Sequence, residues 1–420
     1  MAIALTMLAT VAVTVLVMNF LTGEKKIDQR ISSLYAVADP QFAQSMGNLL
    51  GPAIRDGNRV TGLQNGDEIF PAMLSAIRSA QKTITFETYI YWSGQIGKAF
   101  ADALSERSRA GVKVHVLLDW VGSGRMEGGL LEEMRSSGIE VEKYHPLRWY
   151  NLSRINNRTH RKLLVVDGKI GFTGGVGVAD KWLGHAEDEE HWRDAHFQLE
   201  GPAVAQLQAA FMDNWIKTQG EVLHGAEYFP AVAPTSGSAR AQVFMSSPGG
   251  GSESVRLMYL LSIASARKSI RISASYFVPD DLSVETLVAA RKRGVPVEII
   301  VPGPKIDTET TRKASRSRWG DLLRAGVEIS EYQPTMFHCK VMIVDDLWVS
   351  VGSTNFDNRS FRLNDEANLN VLDPEFAAAQ IAVFQEDKKN ASRVTLEMWE
   401  NRPWQEKLAE RAAGLLRSQL

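Results

Sequence analysis

The stretch FHCKVMIVDDLWVSVGSTNFDNRS (337–360) reads as two buried strands, apolar and β-branched. Yet it sets His338 and Lys340 at the opening of the first strand and Asp345 at its close. A second stretch, THRKLLVVDGKIGFTGG (159–175), has the same spacing in His160, Lys162 and Asp167. Side chains alternate along a strand, so His at i and Lys at i+2 share one face. Asp at i+7 falls on the opposite face at the far end, where it suits an anchor for the turn. One such triplet is weak evidence of chemistry. Two at equivalent places in a repeat are strong, with a pair of satisfied strand histidines as the plain alternative.

Comparing the chain with itself extends the repeat outward from the triplets. AQKTITFETYIY (80–91) resembles ARKSIRISASYF (266–277), RAGVKVHVLL (109–118) resembles KRGVPVEIIV (292–301), and SSGIEVEKYHP (136–146) resembles RAGVEISEYQP (324–334). Each half reads helix, strand, helix, strand, helix, strand, then the triplet strand pair. That alternation predicts an α/β fold of two sandwich halves in a pseudo-twofold arrangement, each with a largely buried sheet. The expected divisions are a leader at 24–65, a first half at 66–232, a Ser/Pro-rich linker APTSGSARA at 233–241, and a second half at 242–420. PEFAAAQIAVFQEDKKN (374–390) and RPWQEKLAERAAGLLRSQL (402–420) look like amphipathic helices, and their Leu and Ala stripes are read as core or docking faces.

At 420 residues two domains of ordinary size are expected, and 44% hydrophobic with 23% charged residues is the composition of a folded globular chain. The formal net charge of −2 supplies no global field for nucleic acid. The one cysteine, Cys339, excludes an intramolecular disulfide and a cysteine-rich zinc site, and a small buried strand residue is its simplest reading. The opening MAIALTMLATVAVTVLVMNFLTG (1–23) carries no charge, and ~20 apolar residues suffice to span a bilayer core. It is expected to be an uncleaved transmembrane helix, since a signal peptide would show a basic start. Lys25, Lys26 and Arg30 follow, so the catalytic part is expected on the cytoplasmic side of a single-pass anchor.

A neutral imidazole is a good nucleophile toward phosphorus, and a protonated one is a good acid toward a leaving oxygen. Two facing triplets would supply both to a phosphodiester with neither metal nor cofactor. The two lysines would neutralise the non-bridging oxygens, and Asn355 could add a donor. Arg158 and Arg161, with Arg154, lie beside His160, and Arg316 lies in TTRKASRSRWG (310–320). Each basic cluster reads as a solvated face or as a mouth for an anionic headgroup, the latter making Arg158, Arg161 and Arg316 candidate substrate ligands. His185 and His191 in an acidic stretch fit no common metal-ligand spacing and are read as surface loop. Tyr89, Tyr91, Trp92, Tyr276 and Phe277 read mostly as core, with one or two lining a lipid entrance.

The paired motifs resemble the duplicated H-x-K-x4-D of the phospholipase D superfamily. SYFVPDD (275–281), VGSTNFDNRSFRLNDEANL (351–369), HWRDAHFQLEGPAV (191–204) and MWENRPWQEKLAERAAGLL (398–416) are similar to bacterial cardiolipin synthases. The resemblance implies a bacterial inner-membrane phosphatidyltransferase acting on phosphatidylglycerol through a phosphatidyl-histidine. It also implies an acidic residue orienting each histidine, at Asp194 and Glu366. The expected pairs are His160 with Asp194 and His338 with Glu366. His160 is the expected nucleophile, with three nearby arginines favouring its neutral form, and His338 the acid. The chain departs from the family pattern at Gly177, where many relatives have Asn, and at Ser93, Gly94 and Gln95, where acidic residues are common. A phospholipase D-like hydrolase is the nearest rival reading. A nucleic-acid phosphodiesterase fits the net charge poorly, and a silent membrane scaffold fits poorly with two intact His/Lys pairs.

Overall fold

The computed structural model describes residues 2–20, 27, 29–32, 35–146, 156–247, 254–417 and 419. Arg154 and the basic residues Lys25 and Lys26 lie outside them. One continuous sheet runs through the molecule, and its strand order repeats. In the first half Thr83–Thr88, Lys113–Asp119 and Glu140–Tyr144 are parallel neighbours. In the second half Ile270–Ala274, Val297–Pro302 and Glu328–Tyr332 take the same places. The triplet strands, Leu163–Val166 and Lys340–Val344, pair antiparallel to the first of each set. Each then turns back into a partner, Ile170–Gly174 or Trp348–Gly352. The halves join where Arg55–Gln64 pairs with Ala239–Ser246. The first of these strands lies in the leader 24–65, and the linker 233–241 ends inside the second.

Helices cover both faces, as buried parallel strands require. One apolar cluster packs the helices Asn65–Ser79 and Gln95–Arg109 on the outer face of the first half. A second does the same for Ser254–Ser265 and Asp281–Lys292. Leader residues Phe42 and Met46 join that second cluster, with the Phe42 ring edge-on to Trp348 at 5.0 Å. A third cluster is shared, holding Leu163 and Phe197 of one half against Phe337 and Leu369 of the other. The helices Val204–Gln219 and Pro374–Lys389 close it. This shared core fixes the two triplets relative to one another.

The triplet aspartates are anchors. Asp167 and Asp345 both stand in left-handed backbone, at φ 52° and 55°. The carboxylate of Asp167 accepts from the amides of Gln81, Lys82 and Thr83 at 2.7–2.9 Å. Asp345 accepts from those of Arg267, Lys268 and Ser269. Each therefore stitches the turn before a parallel strand to the end of a triplet strand, away from the histidines. This is the turn-anchoring role that their place on the opposite strand face suits, and it leaves the triplet's candidate catalytic chemistry to the histidine and lysine. Asp345→Ala leaves three amides without their charged acceptor and is expected to lower unfolding free energy by about 3 kcal/mol. Denaturant titration checks this, and the folded fraction should retain its turnover.

Helix Ala2–Phe20 carries the apolar opening, with Ile3, Leu5, Met7 and Leu8 exposed. Among the described residues no helix is long and apolar enough to cross a membrane. The two C-terminal amphipathic helices differ. Pro374–Lys389 buries Phe376, Ala377 and Phe384. Trp404–Gly414 instead turns Trp404 and Leu408 outward, so its stripe is not core.

Candidate active site

Each histidine sits just before its triplet strand, on a segment that crosses to the other half. The short strand Arg158–Thr159 pairs in parallel with Asn364–Asp365 of the second half. The His160 amide then donates to the Asp365 carbonyl at 2.9 Å. Symmetrically, Phe337 bridges Arg193 of the first half, and the His338 amide donates to the Arg193 carbonyl at 2.7 Å. These exchanges set His160 beside Glu366 and His338 beside Asp194.

The histidine–carboxylate pairs are therefore crossed between halves. His160 Nδ1 lies 3.0 Å from both Glu366 oxygens. His338 Nδ1 lies 2.7 Å from Asp194 Oδ2. The within-half pairs expected from the sequence are overturned, because the chain delivers each histidine to the partner half's strand. Each carboxylate is buried and held by further donors. Asp194 accepts from Trp182 Nε1 at 2.9 Å and from the Ala195 amide at 2.8 Å. Glu366 accepts from Ser353 Oγ at 2.5 Å. Gly175 closes on Asp194 so tightly that a Cβ there would stand 2.1 Å from Oδ1. Trp182, Ser353 and Gly175 escaped the sequence reading, since nothing local ties them to a histidine.

The electrostatics favour neutral rings above charged carboxylates. Burial pushes His160 down to about 4, with Glu366 opposing and Lys162 assisting. His338 is also lowered, by burial first and Lys340 next. Burial works against the charge on Glu366, yet His160 and Lys162 hold its carboxyl below the usual range. Asp194 is held low against burial by His338 and Lys340. With Nδ1–H donating to a carboxylate, each ring presents Nε2 as a lone pair.

The two lysines differ in their second contact. Lys162 Nζ donates to the His160 carbonyl at 2.8 Å and lies 5.7 Å from the Tyr89 ring centroid. Lys340 Nζ donates to the His338 carbonyl at 2.6 Å and to Ser275 Oγ at 2.8 Å. It also lies 3.1 and 3.2 Å from the two His338 ring nitrogens. Ser275 Oγ donates in turn to Asn355 Oδ1 at 2.6 Å. Asn355 thus braces the Lys340 side through its carbonyl oxygen. Tyr89 stands edge-on to His160 at 5.3 Å, whereas Tyr91 and Phe277 are core. Gly177 has a packing reason, because a Cβ there would lie 2.9 Å from Ile90 Cβ.

Two of the three candidate arginines are spent on the protein. Arg161 is fully buried and donates to Ala210 and Glu366 carbonyls and to Asp213. Arg316 donates to Glu410 at 2.8 Å and Glu331 at 3.2 Å. Both are corrected to structural braces. The arginines also do not set the state of His160, where burial and the two lysines do. Arg158 stays half-buried near Asp119 and Tyr89, and among the described residues its side chain donates to the Asn157 carbonyl at 2.9 Å. His191 pairs with Asp188 on an exposed loop.

Two buried, oriented imidazoles with two ammonium groups are suited to in-line transfer at a phosphodiester. Residues 73–215 and 259–388 match the family described as "Cardiolipin synthase, PLD-like domain". Cardiolipin synthase 2 of Bacillus anthracis is 36% identical over 84% of this chain and 69% of its own length. Cardiolipin synthase of Geobacillus kaustophilus is 35% identical over 84% of this chain and 71% of its own. The phosphatidylserine synthase of Haemophilus influenzae Rd KW20 shares the fold, with a TM-score of 0.64 and 15% identity over 86% of this chain and 95% of that one. The chain is an enzyme of the phospholipase D superfamily and belongs to the cardiolipin synthase family.

Proposed function

We propose that the protein transfers a phosphatidyl group from one phosphatidylglycerol to another, releasing glycerol. The reading is carried by the crossed pairs, which give one buried site two neutral, oriented imidazoles, each with its own lysine. His160 Nε2 attacks phosphorus as the bond to the glycerol headgroup breaks. The substrate anion raises the proton affinity of the rings, so His338 arrives protonated and gives its proton to the leaving alkoxide. His338 then takes a proton from a headgroup hydroxyl of the second lipid. That oxygen attacks the phosphatidyl-histidine, freeing His160 and forming cardiolipin. Lys162 and Lys340 neutralise the non-bridging oxygens, and Arg158 contributes positive charge at the rim. Helix Ala2–Phe20, with its exposed apolar side chains, serves as a bilayer anchor at a cytoplasmic membrane face.

Purified full-length protein with phosphatidylglycerol vesicles tests the reading. Cardiolipin plus glycerol supports transfer. Phosphatidic acid plus glycerol would replace it with hydrolysis.

The pH dependence is a second check. As pH falls through about 4, His160 takes a proton and loses its lone pair. Burial lowers Lys162 to about 7, so its charge is lost as pH rises through that value. The profile of kcat/KM, which reports the free enzyme, should rise near pH 4 and then fall with rising pH, as the lowered His338 becomes harder to protonate and again near pH 7 as Lys162 loses its charge. A profile flat through the alkaline range would remove the Lys162 charge from the reaction.

A further inference from the structure

Helix Trp404–Gly414 and the turn after it are amphipathic in the inverted sense. The inward side sets a buried charge beside the small Ala413, which packs on Val278 and Ala314. Glu410 is 2% exposed and accepts from Arg316 and Arg402 at 2.8 and 2.7 Å. The outward side is apolar, with Trp404 68%, Leu408 60%, Leu415 83% and Leu416 52% exposed. Spacings of three, four and seven put Trp404, Leu408, Arg411 and Leu415 within one arc of the helix surface. A chain that buries a carboxylate and leaves four large apolar groups in water has another partner for that face.

The position of the helix identifies the partner. Its end is tied to the rim of the catalytic site. Asn358 Nδ2 donates to the Arg417 carbonyl at 3.0 Å, and Asn156 Nδ2 donates to Gln419 Oε1 at 2.9 Å. Arg359 joins Asn156 to Gln419. Asn156 stands just before the strand that leads to His160, and Arg359 belongs to the electrostatic surroundings of Tyr89. The apolar arc is thus tied at its end to the two segments that lead into His160 and Glu366. Arg411, in the same arc, matches an anionic headgroup layer.

We infer that this face inserts into the surface of an anionic bilayer and seats the catalytic mouth on it. The inference rests on the reading that the substrates are membrane lipids. It differs from anchoring by the N-terminal helix, because it orients the site and does not merely tether it.

The test uses the full-length protein in vesicles of phosphatidylglycerol and phosphatidylethanolamine. Cys339 is buried, so Leu408→Cys can carry the only environment-sensitive fluorophore, with Asp102→Cys as the exposed control. Nitroxide-labelled lipid is expected to quench the label at 408 and spare the one at 102. Leu408→Gln with Leu415→Gln should lose turnover on vesicles by about tenfold and keep it on dispersed short-chain phosphatidylglycerol. Absent quenching at 408, or equal turnover of variant and parent on vesicles, overturns the inference. Label burial that rises with protein concentration in lipid-free detergent also overturns it, assigning the face to a second copy. Should the parent make no cardiolipin from either lipid form, the transferase reading falls while the quenching still decides the docking.

Discussion

Asp194→Asn is expected to fold normally, to lose turnover by ~10³-fold or more, and to disturb His338 while leaving His160 in place. The size follows from what the carboxylate does. It accepts from His338 Nδ1 at 2.7 Å, which fixes the tautomer with a lone pair on Nε2. An amide can present its NH2 to that nitrogen and reverse the tautomer, so the ring remains but points the wrong atom at the substrate. Glu366→Gln should do the same to His160, which it meets through both oxygens. The effect crosses the boundary between halves in each case. Spectra of protein labelled with ¹⁵N-histidine give a readout independent of rate. Among eight histidines, the ring signals of His338 should move on Asp194→Asn, and those of His160 on Glu366→Gln. Signals that follow the opposite pattern would mean the pairs lie within halves after all. Because two exchanged backbone bonds hold the crossing, each half should be inactive when expressed without the other.

The triplets and the alternating elements were legible in sequence because each is local or repeated, while the two orienting acids came only through the family resemblance. His338 and Lys340 need only the strand period to be placed side by side. The crossing was not legible, because it depends on segments far apart in sequence, Phe337 against Arg193 and Thr159 against Asp365. No periodicity records which half lends the strand. The same limit explains the arginines. A cluster of positive charge reads alike whether it faces a ligand or a buried acid, and Arg161 and Arg316 face acids from other elements. Helix Trp404–Gly414 shows the converse. Its apolar stripe was plain, but a stripe does not say which side meets the core. Glu410 decided that, since two arginines awaited it. Gly177 and Asn355, a mismatch between repeats in sequence, meet different neighbours in three dimensions, Ile90 and Ser275. Asn355 accepts from Ser275, which accepts from Lys340, while beside Lys162 the first half has Tyr89. The halves are similar in plan and different in the surroundings of each lysine.

That difference bears on which histidine is phosphorylated, and it carries the second large prediction. Charge does not separate the two, since burial lowers both rings toward the neutral form. Their immediate neighbours do. Lys340 Nζ stands 3.1 and 3.2 Å from the two nitrogens of His338, so an ammonium covers one face of that ring. His160 has no such neighbour on Nε2 among the described residues, and its Nδ1 is fully engaged by Glu366. His160 is therefore the expected nucleophile, and Lys340 is placed to manage the proton on His338. His160→Asn should abolish covalent labelling from any lipid, however good its leaving group. His338→Asn should suppress turnover of phosphatidylglycerol, whose glycerol leaves only when protonated. It should still permit labelling from a lipid carrying a nitrophenol-type headgroup, which departs without an acid. Glu366→Gln should follow His160→Asn in this assay, and Asp194→Asn should follow His338→Asn. Mass spectrometry of the trapped protein locates the adduct. A phosphoryl group found on His338 would exchange the two roles, and labelling that persists in His160→Asn would do so as well.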